Sequence, residues 1–186
     1  MKVLTGKDFM KIDAYKEKRY HKTISFLKKV VPDGARILDL GTPNALSDIM
    51  AANGYRVYNT QGEDLDTDYH FVKEVEVDVV TSFEVFEHLL APFNILREIK
   101  APKLVASVPL RLWFANAYWN EKDDWDKHYH EFEEKQFNLL LQKTGWEIKA
   151  SEKWTSSLPG KIGIRPILRH ITPRYYIVYC EKKAVA

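Results

Sequence analysis

Acidic side chains stand at the ends of short apolar runs in this sequence. One run ends on Asp39, another leads into Glu84, and a third is followed by Glu63 and Asp64. Few basic residues accompany these acids in the sequence. A ligand rich in phosphate would be repelled by such a set, whereas a cationic ligand with free hydroxyl groups would be attracted to it. The pattern therefore favours a site for a positively charged, phosphate-free molecule.

Three histidines are candidates for proton transfer. His88 directly follows Glu87, and the spacing of His128 and His130 places both on one side of an extended segment. An imidazole has a pKa near neutral pH, so each of these side chains could act as a general base. Each could also be structural, as a capped helix residue or as the polar start of a helix. The aspartates near His128 match no strong zinc-binding spacing, and we expect no metal site.

Hydrophobic periodicity predicts strands that alternate with helices. Residues 20–31 have helical spacing, and Thr42 followed by Pro43 has the composition of a helix start. Residues 69–72 could form a brief additional strand. Further helices are predicted from 92 and around 137–141. Apolar runs typical of buried strands lie at 36–41, 55–59, 77–83 and 103–108, and two more strand-like segments lie at 146–154 and 175–180.

This alternation predicts a single α/β domain over residues 1–186. We expect a Rossmann-like, doubly wound sheet in a three-layer α/β/α arrangement, mostly parallel with an antiparallel C-terminal strand. Residues 1–33 are predicted as an N-terminal helical segment. Residues 111–130, which are rich in tryptophan, and residues 156–174 are candidate lids or substrate-facing insertions. In such sheets ligands bind beyond the carboxyl ends of the strands, which is where the acids stand.

Composition narrows the class of protein further. The chain has 186 residues and a formal net charge of +2, which is too small to make nucleic acid the expected partner. Its one cysteine, Cys180, cannot form an intrachain disulfide and fits a reducing compartment. No apolar run approaches the length of a membrane span. We therefore expect a cytoplasmic protein without a membrane-spanning segment.

Three motifs in order along the chain carry a resemblance to a known family. Residues 37–41 read ILDLG, residues 77–89 read VDVVTSFEVFEHL, and residues 128–132 read HYHEF, with Gly145 and Trp146 after the next helix. Together they resemble motif I, the segment after the fourth strand and the late motif of class I S-adenosylmethionine-dependent methyltransferases, in the small-molecule branch. The resemblance implies S-adenosylmethionine as cofactor and a small molecule as methyl acceptor.

The resemblance also implies roles for individual residues. Asp39 would hold the ammonium group of the cofactor, while the backbone of Gly41 and the adjoining Thr42 would approach it closely. A carboxylate after the second strand would bind the ribose hydroxyls, and this role is assigned to Glu63, with Asp64 second. The end of the third strand would border the adenine; the residues assigned there are Ser82, Phe83 and Glu84.

The sequence departs from the family pattern at three positions. Pro43 and Ala45 stand where the family has glycines, and Gln61 stands where the second strand would end on an acid. These departures leave open a non-catalytic domain that keeps the fold. A nicotinamide-dependent oxidoreductase fits less well, because its glycine-rich turn would have Pro43 and Leu46 at two glycine positions. The main hypothesis is in-line methyl transfer to O, N or C of a small molecule, with His128, His130 or His88 as base.

Overall fold

The structure is a computed structural model that describes residues 13–157 and 163–183. Residues 1–12 of the predicted N-terminal segment and residues 158–162 of the predicted insertion lie outside the described residues. The helices are α1 (Ala14–Val30), α2 (Ala45–Ala52), α3 (Pro92–Glu98), α4 (Glu134–Lys143) and α5 (Ile164–Ile171). The strands are β1 (Arg36–Asp39), β2 (Arg56–Asn59), β3 (Val79–Phe83), β4 (Lys103–Pro109), β5 (Trp146–Thr155) and β6 (Pro173–Lys182). Short 3-10 helices cover His70–Lys73 and Phe86–His88.

The six strands form one sheet in the order β2-β1-β3-β4-β6-β5. The pairs β1–β2, β1–β3 and β3–β4 are parallel, whereas β6 runs antiparallel to both β4 and β5. This arrangement confirms the predicted Rossmann-like sheet with an antiparallel C-terminal strand. The chain passes from β1 to β2 on one side and then to β3 on the other side. The strand order therefore reverses between β1 and β3, where a ligand is expected to bind.

Helices cover both faces of the sheet. Ile37 and Leu38 are consecutive buried residues of β1 that point to opposite faces. Ile37 belongs to an apolar cluster with Leu27 of α1 and Met50 of α2. Leu38 belongs to a second cluster that includes residues of α3 and α4, among them Leu96. These two clusters are the two halves of the hydrophobic core, and they confirm the predicted three layers.

The start of α2 differs from the prediction. The N-cap is Asn44 rather than Thr42, and the helix begins at Ala45. The side-chain oxygen of Asn44 accepts hydrogen bonds from the backbone N–H groups of Leu46 and Ser47, at 2.8 and 3.3 Å. Ser47 Oγ in turn accepts from the Asn44 N–H at 3.0 Å, which completes a capping box. Asn44 therefore satisfies the first amides of α2, and Thr42 and Pro43 lie in the turn before it.

Two other predicted segments also differ in the structure. The predicted strand at 69–72 is wrong, because the chain forms the 3-10 helix at His70–Lys73 instead. Only Val72 of that segment is buried, so it lacks the alternating buried face that holds a strand in a sheet. The basic connection before the last strand contains α5, which begins after Gly163 despite Pro166 in its first turn. A proline is tolerated there because the amides of a first helical turn have no partners within the helix.

The aromatic segment at 111–130 lies mostly at the surface. Trp113 and Trp125 are each 69% exposed. A short antiparallel bridge joins Trp119 to Lys127, and the Lys127 ammonium lies 5.2 Å from the centre of the Trp119 ring. The segment is thus an ordered surface loop with exposed rings, and its role as a lid stays a prediction.

Candidate functional site

A pocket of about 210 Å³ lies at the carboxyl ends of β1 and β3, where the strand order reverses. Its walls come from α1, from the turn between β1 and α2, and from the ends of β3 and β4. Of the residues expected to bind the cofactor, those in its lining are Asp39, Gly41, Thr42, Phe83 and Glu84. The structure thus brings together the residues that follow β1 and β3.

Asp39 is a buried acid at the base of this pocket. It is 4% exposed, accepts a hydrogen bond from Thr81 Oγ1 at 2.6 Å and accepts another from Asn59 Nδ2 at 3.1 Å. Burial raises the pKa of Asp39 to about 6, although the two hydrogen bonds act in the opposite direction. A carboxylate that burial makes costly to ionise gains most from a cationic ligand beside it.

The backbone N–H and carbonyl groups of the turn after β1 are hydrogen-bonded to other parts of the protein. Gly41 has a φ of +145°, a region that side chains rarely adopt. Its N–H donates to Thr60 Oγ1 at 2.8 Å, and its carbonyl accepts from Asn59 Nδ2 at 3.1 Å. With the first amides of α2 bound to Asn44, this turn does not offer the row of free N–H groups that a diphosphate requires. The geometry therefore argues against a dinucleotide site.

Glu84 stands directly after β3 in a left-handed backbone conformation, with a φ of +57°. That conformation costs on the order of 1–3 kcal/mol for a residue with a side chain. It is fixed by the Glu84 N–H, which donates to the Ser107 carbonyl at 3.0 Å. The Glu84 carboxylate accepts from Ser107 Oγ at 2.7 Å. The backbone strain therefore serves to direct this acid into the pocket.

Arg19 of α1 supplies a positive charge opposite Glu84. Its Nη1 lies 3.6 Å from Glu84 Oε2, and the guanidinium lies 5.6 Å from the centre of the Tyr20 ring and 5.9 Å from that of Tyr175. Sequence reasoning missed Arg19 because no motif contains it. Its one signal is its position four residues before Thr23, which places it on the buried face of an amphipathic helix.

Glu63 and Asp64 do not reach the pocket lining. The Glu63 carboxylate accepts from the Gln61 N–H at 2.6 Å, and the Asp64 carboxylate accepts from the Asp66 N–H at 3.0 Å. Both acids thus support the turn that contains them, and their role toward the ribose stays a prediction. Ser82 also lies outside the lining; it is fully buried in β3, and its Oγ has no hydrogen-bond partner within the described residues.

The three histidines lie outside the pocket lining, and two of them are in contact. The rings of His88 and His128 meet edge to face with their centres 4.8 Å apart. Burial, together with the nearby His128, lowers the pKa of His88. His130 is separate, since its ring stacks on Phe132 and its Nε2 lies 3.3 Å from the Leu90 carbonyl oxygen. Their role as general bases stays a prediction.

A second, basic depression of about 360 Å³ lies between α1 and α5. Arg165, Arg169 and His170 of α5 line it together with Tyr15 of α1. Tyr15 and Arg19 are four residues apart on α1 and therefore lie on the same side of that helix. The basic depression is thus close to the pocket along α1.

Comparison with known proteins decides the family. The sequence profile described as Methyltransferase domain matches residues 12–151, which include β1, the pocket acids and the three histidines. The chain belongs to this methyltransferase family. Membership confirms the resemblance to class I S-adenosylmethionine-dependent methyltransferases, and with it S-adenosylmethionine as the cofactor. No curated protein sequence matches the chain.

Solved structures of low sequence identity share the fold of this methyltransferase. A chain in the complex that contains the Haloferax volcanii Trm112 methyltransferase activator has a TM-score of 0.62 at 17% identity, covering 90% of this chain and 92% of that one. Burkholderia thailandensis 1,6-didemethyltoxoflavin-N1-methyltransferase, solved with bound 1,6-didemethyltoxoflavin and S-adenosylhomocysteine, has a TM-score of 0.61 at 16% identity, and the alignment covers 91% of this chain and 84% of that one.

A methyltransferase from Archaeoglobus fulgidus, described as dependent on S-adenosylmethionine, is a third similar structure. Its TM-score is 0.58 at 12% identity, and the alignment covers 89% of this chain and 94% of that one. Identities this low establish the fold alone, so no substrate follows from these similarities. In the part of the chain that the structure describes, no helix is both long and apolar enough to cross a membrane.

Proposed function

We propose that this methyltransferase transfers a methyl group from S-adenosylmethionine to an O, N or C atom of a small molecule. The observation that carries the proposal is the pair of opposite charges in the pocket, Arg19 and Glu84, which are 3.6 Å apart beside the buried Asp39. The cofactor has a zwitterionic amino-acid end, a sulfonium and a ribose, and it has no phosphate. A pocket with fixed charges of both signs and capped backbone amides suits such a molecule.

In this proposal the amino-acid end of the cofactor lies between the two charges. The Arg19 guanidinium binds the carboxylate, since its planar set of donors matches two carboxylate oxygens. Glu84 and Asp39 are the acceptors for the ammonium group, which adds Glu84 to the predicted role of Asp39. Ligand binding would then replace the direct Arg19–Glu84 contact with two charge-assisted contacts of similar kind.

Aromatic side chains in the same pocket suit the sulfonium. Tyr20 and Phe83 both contribute to the lining. The face of an aromatic ring attracts a cation by ~0.5–2 kcal/mol, and the attraction is greatest where water is excluded. The positive charge leaves the sulfur with the methyl group and passes to the acceptor, from which a proton then departs, so the transfer creates no new net charge in the site. We therefore attribute most of the rate acceleration to alignment of the methyl group with the acceptor.

The adenosine part of the cofactor requires more room than the pocket now offers. The pocket has a volume of about 210 Å³, which is below the ~300–1,000 Å³ that is usual for ligand sites. We propose that the segment at 61–66 rearranges when the cofactor binds. Release of the Gln61 N–H would free the Glu63 carboxylate to accept hydrogen bonds from the ribose hydroxyls, which is the role predicted for it.

A thermal-shift titration tests the proposed cofactor and excludes the nicotinamide alternative. A ligand at one hundred times its dissociation constant stabilises the native state by ~2.7 kcal/mol, which corresponds to roughly 5–10 °C in Tm for a chain of this size. We expect S-adenosylmethionine and S-adenosylhomocysteine to raise Tm by this amount, and NAD to leave it unchanged. A shift with NAD alone, or with none of the three ligands, would contradict the proposal.

A further inference from the structure

Three potential metal ligands converge beside the pocket. Glu87, His88 and His128 each place one ligand atom within 4.8 Å of the other two. Glu87 Oε1 lies 3.7 Å from His88 Nε2. They lie in the 3-10 helix that follows Glu84, whereas His128 comes from the end of the aromatic segment. The cluster therefore joins two parts of the chain that are far apart in sequence.

One oxygen of the buried Glu87 carboxylate has no hydrogen-bond partner among the described residues. Glu87 is 1% exposed, and its Oε2 has no hydrogen-bond partner within the described residues. A buried carboxyl oxygen without a hydrogen bond is costly unless something binds there. The other oxygen of the same carboxylate, Oε1, is the one that lies near His88 Nε2, so the group is both buried beside the imidazole and incompletely hydrogen-bonded.

The two histidines are oriented as metal ligands usually are. His88 Nδ1 donates to the Lys127 carbonyl at 3.1 Å, and His128 Nδ1 donates to Glu131 Oε1 at 3.1 Å. A metal-bound histidine commonly donates its other ring N–H to a backbone carbonyl or a carboxylate. With both Nδ1 atoms engaged, Nε2 is the nitrogen that each ring can offer to a metal.

Further contacts fix the groups that hold these rings. Glu131 also accepts from the Tyr118 N–H at 3.0 Å and lies 3.4 Å from Arg174 Nη1. The Glu87 carbonyl accepts from the Tyr129 and His130 N–H groups at 2.8 and 3.1 Å, which holds the His128 segment against the 3-10 helix. The cluster is therefore supported on both sides before any ion binds.

We propose that Glu87, His88 and His128 bind a divalent transition-metal ion. Two imidazole nitrogens and one carboxylate oxygen suit Zn²⁺ and similar first-row ions, rather than the all-oxygen sites that Mg²⁺ and Ca²⁺ prefer. Metal–ligand bonds of about 2.0–2.2 Å require the three side chains to close on the ion through small rotations. The proposal replaces the sequence-based expectation that the chain has no metal site.

Three protein ligands leave a coordination position open. An open position is typical of catalytic rather than structural metal sites. We propose that the open position receives an oxygen or nitrogen atom of the methyl acceptor. The ion would then orient the acceptor close to the pocket, because its ligand Glu87 is only three residues after Glu84 in the chain. This role rests on the proposed methyl transfer, whereas metal binding itself does not. In this arrangement His88 and His128 position the acceptor through the ion, and they are not themselves the general base.

Metal binding is tested on the full chain after treatment with EDTA and dialysis. We expect isothermal titration to show one Zn²⁺ per chain, and Co²⁺ to give the visible absorption of a low-coordinate nitrogen and oxygen site. Glu87→Gln and His128→Asn should each weaken Zn²⁺ binding by at least about 100-fold. Glu131→Gln, which keeps the three ligands but removes the charge of the group that His128 Nδ1 contacts, should weaken it by roughly 10–100-fold. His130→Ala is the matched control from the same segment and should retain the stoichiometry.

Two results would overturn the metal site. The first is wild-type protein that binds no Zn²⁺ or Co²⁺, as expected if Glu87 is simply a protonated buried acid. The second is a Glu87→Gln variant that binds Zn²⁺ as tightly as wild type. If that variant does not fold, the Glu131→Gln titration and the Co²⁺ spectrum of wild type still decide the question. Binding of S-adenosylhomocysteine, measured on the same samples, tests the proposed function separately from the metal.

Discussion

At the scale of single residues, Asp39 shows how a buried charge can favour ligand binding over stability. Its carboxyl is nearly inaccessible to solvent, and burial raises its pKa to about 6. An unfolded chain would hold the same proton with the ordinary pKa of 3.8. Between these values the native protein binds more protons than the unfolded chain, so the free energy of unfolding falls as pH rises from about 4 to 6.

Replacing Asp39 with asparagine should remove this dependence. One pKa unit corresponds to ~1.4 kcal/mol, so Asp39→Asn should stabilise the protein by up to about 3 kcal/mol at pH 7 and by little at pH 4. The same variant should lose affinity for S-adenosylhomocysteine, because it lacks the charge that holds the ammonium group. Urea unfolding at both pH values, compared with wild type, gives the measurement. Equal differences at pH 4 and pH 7 would show that Asp39 is not the titrating group.

At the scale of secondary structure, the cap of α2 matters to both stability and ligand preference. Asn44 accepts hydrogen bonds from two backbone amides of the first turn of α2, beside the pocket. The sequence places a cap in this turn but assigns it to Thr42, since Thr42-Pro43 is the stronger local signal. The choice between the two positions depends on the path of the turn, which Gly41 and Asn59 fix through a contact between distant parts of the sequence.

Loss of the cap should destabilise the protein without unfolding it. Asn44→Ala removes the acceptor of both amides and should cost about 1 kcal/mol, or roughly 2–4 °C in Tm. Asn44→Asp keeps a side-chain oxygen in the same place and serves as the matched control, with a Tm close to that of wild type. Differential scanning calorimetry of the three proteins makes the comparison. A Tm for Asn44→Ala equal to that of wild type would mean that water or another group replaces the cap.

At the scale of the whole molecule, the sequence predicts the features that local patterns determine. It does not predict those that depend on contacts between residues far apart in the chain. The strands and most helices could be predicted, because apolar runs such as 77–83 and 103–108 record burial on both faces of a sheet. Asp39 and Glu84 could be placed at the site because Asp39 ends such a strand and Glu84 directly follows one. Arg19 could not, since it meets Glu84 only when α1 packs on the sheet.

Two other features also depend on the assembled fold. Glu63 was assigned to the ribose by its position after the second strand, but its carboxylate binds the Gln61 N–H in its own turn. The grouping of Glu87 with His128 arises because the backbone of residues 129–130 bonds to the Glu87 carbonyl. Neither contact leaves a periodic or motif signal in the sequence. The sequence therefore predicts which strand ends carry the site, and the structure determines which side chains meet there.

The most direct test of the proposed cofactor site compares two ligands by isothermal titration calorimetry. S-Adenosylhomocysteine carries the amino-acid end, and 5′-methylthioadenosine lacks it. If Arg19 and Glu84 hold that end, wild type should bind S-adenosylhomocysteine at least about tenfold more tightly than 5′-methylthioadenosine. Arg19→Ala and Glu84→Gln should each reduce this preference while leaving the affinity for 5′-methylthioadenosine unchanged. A preference that persists undiminished in both variants would contradict the proposed contacts.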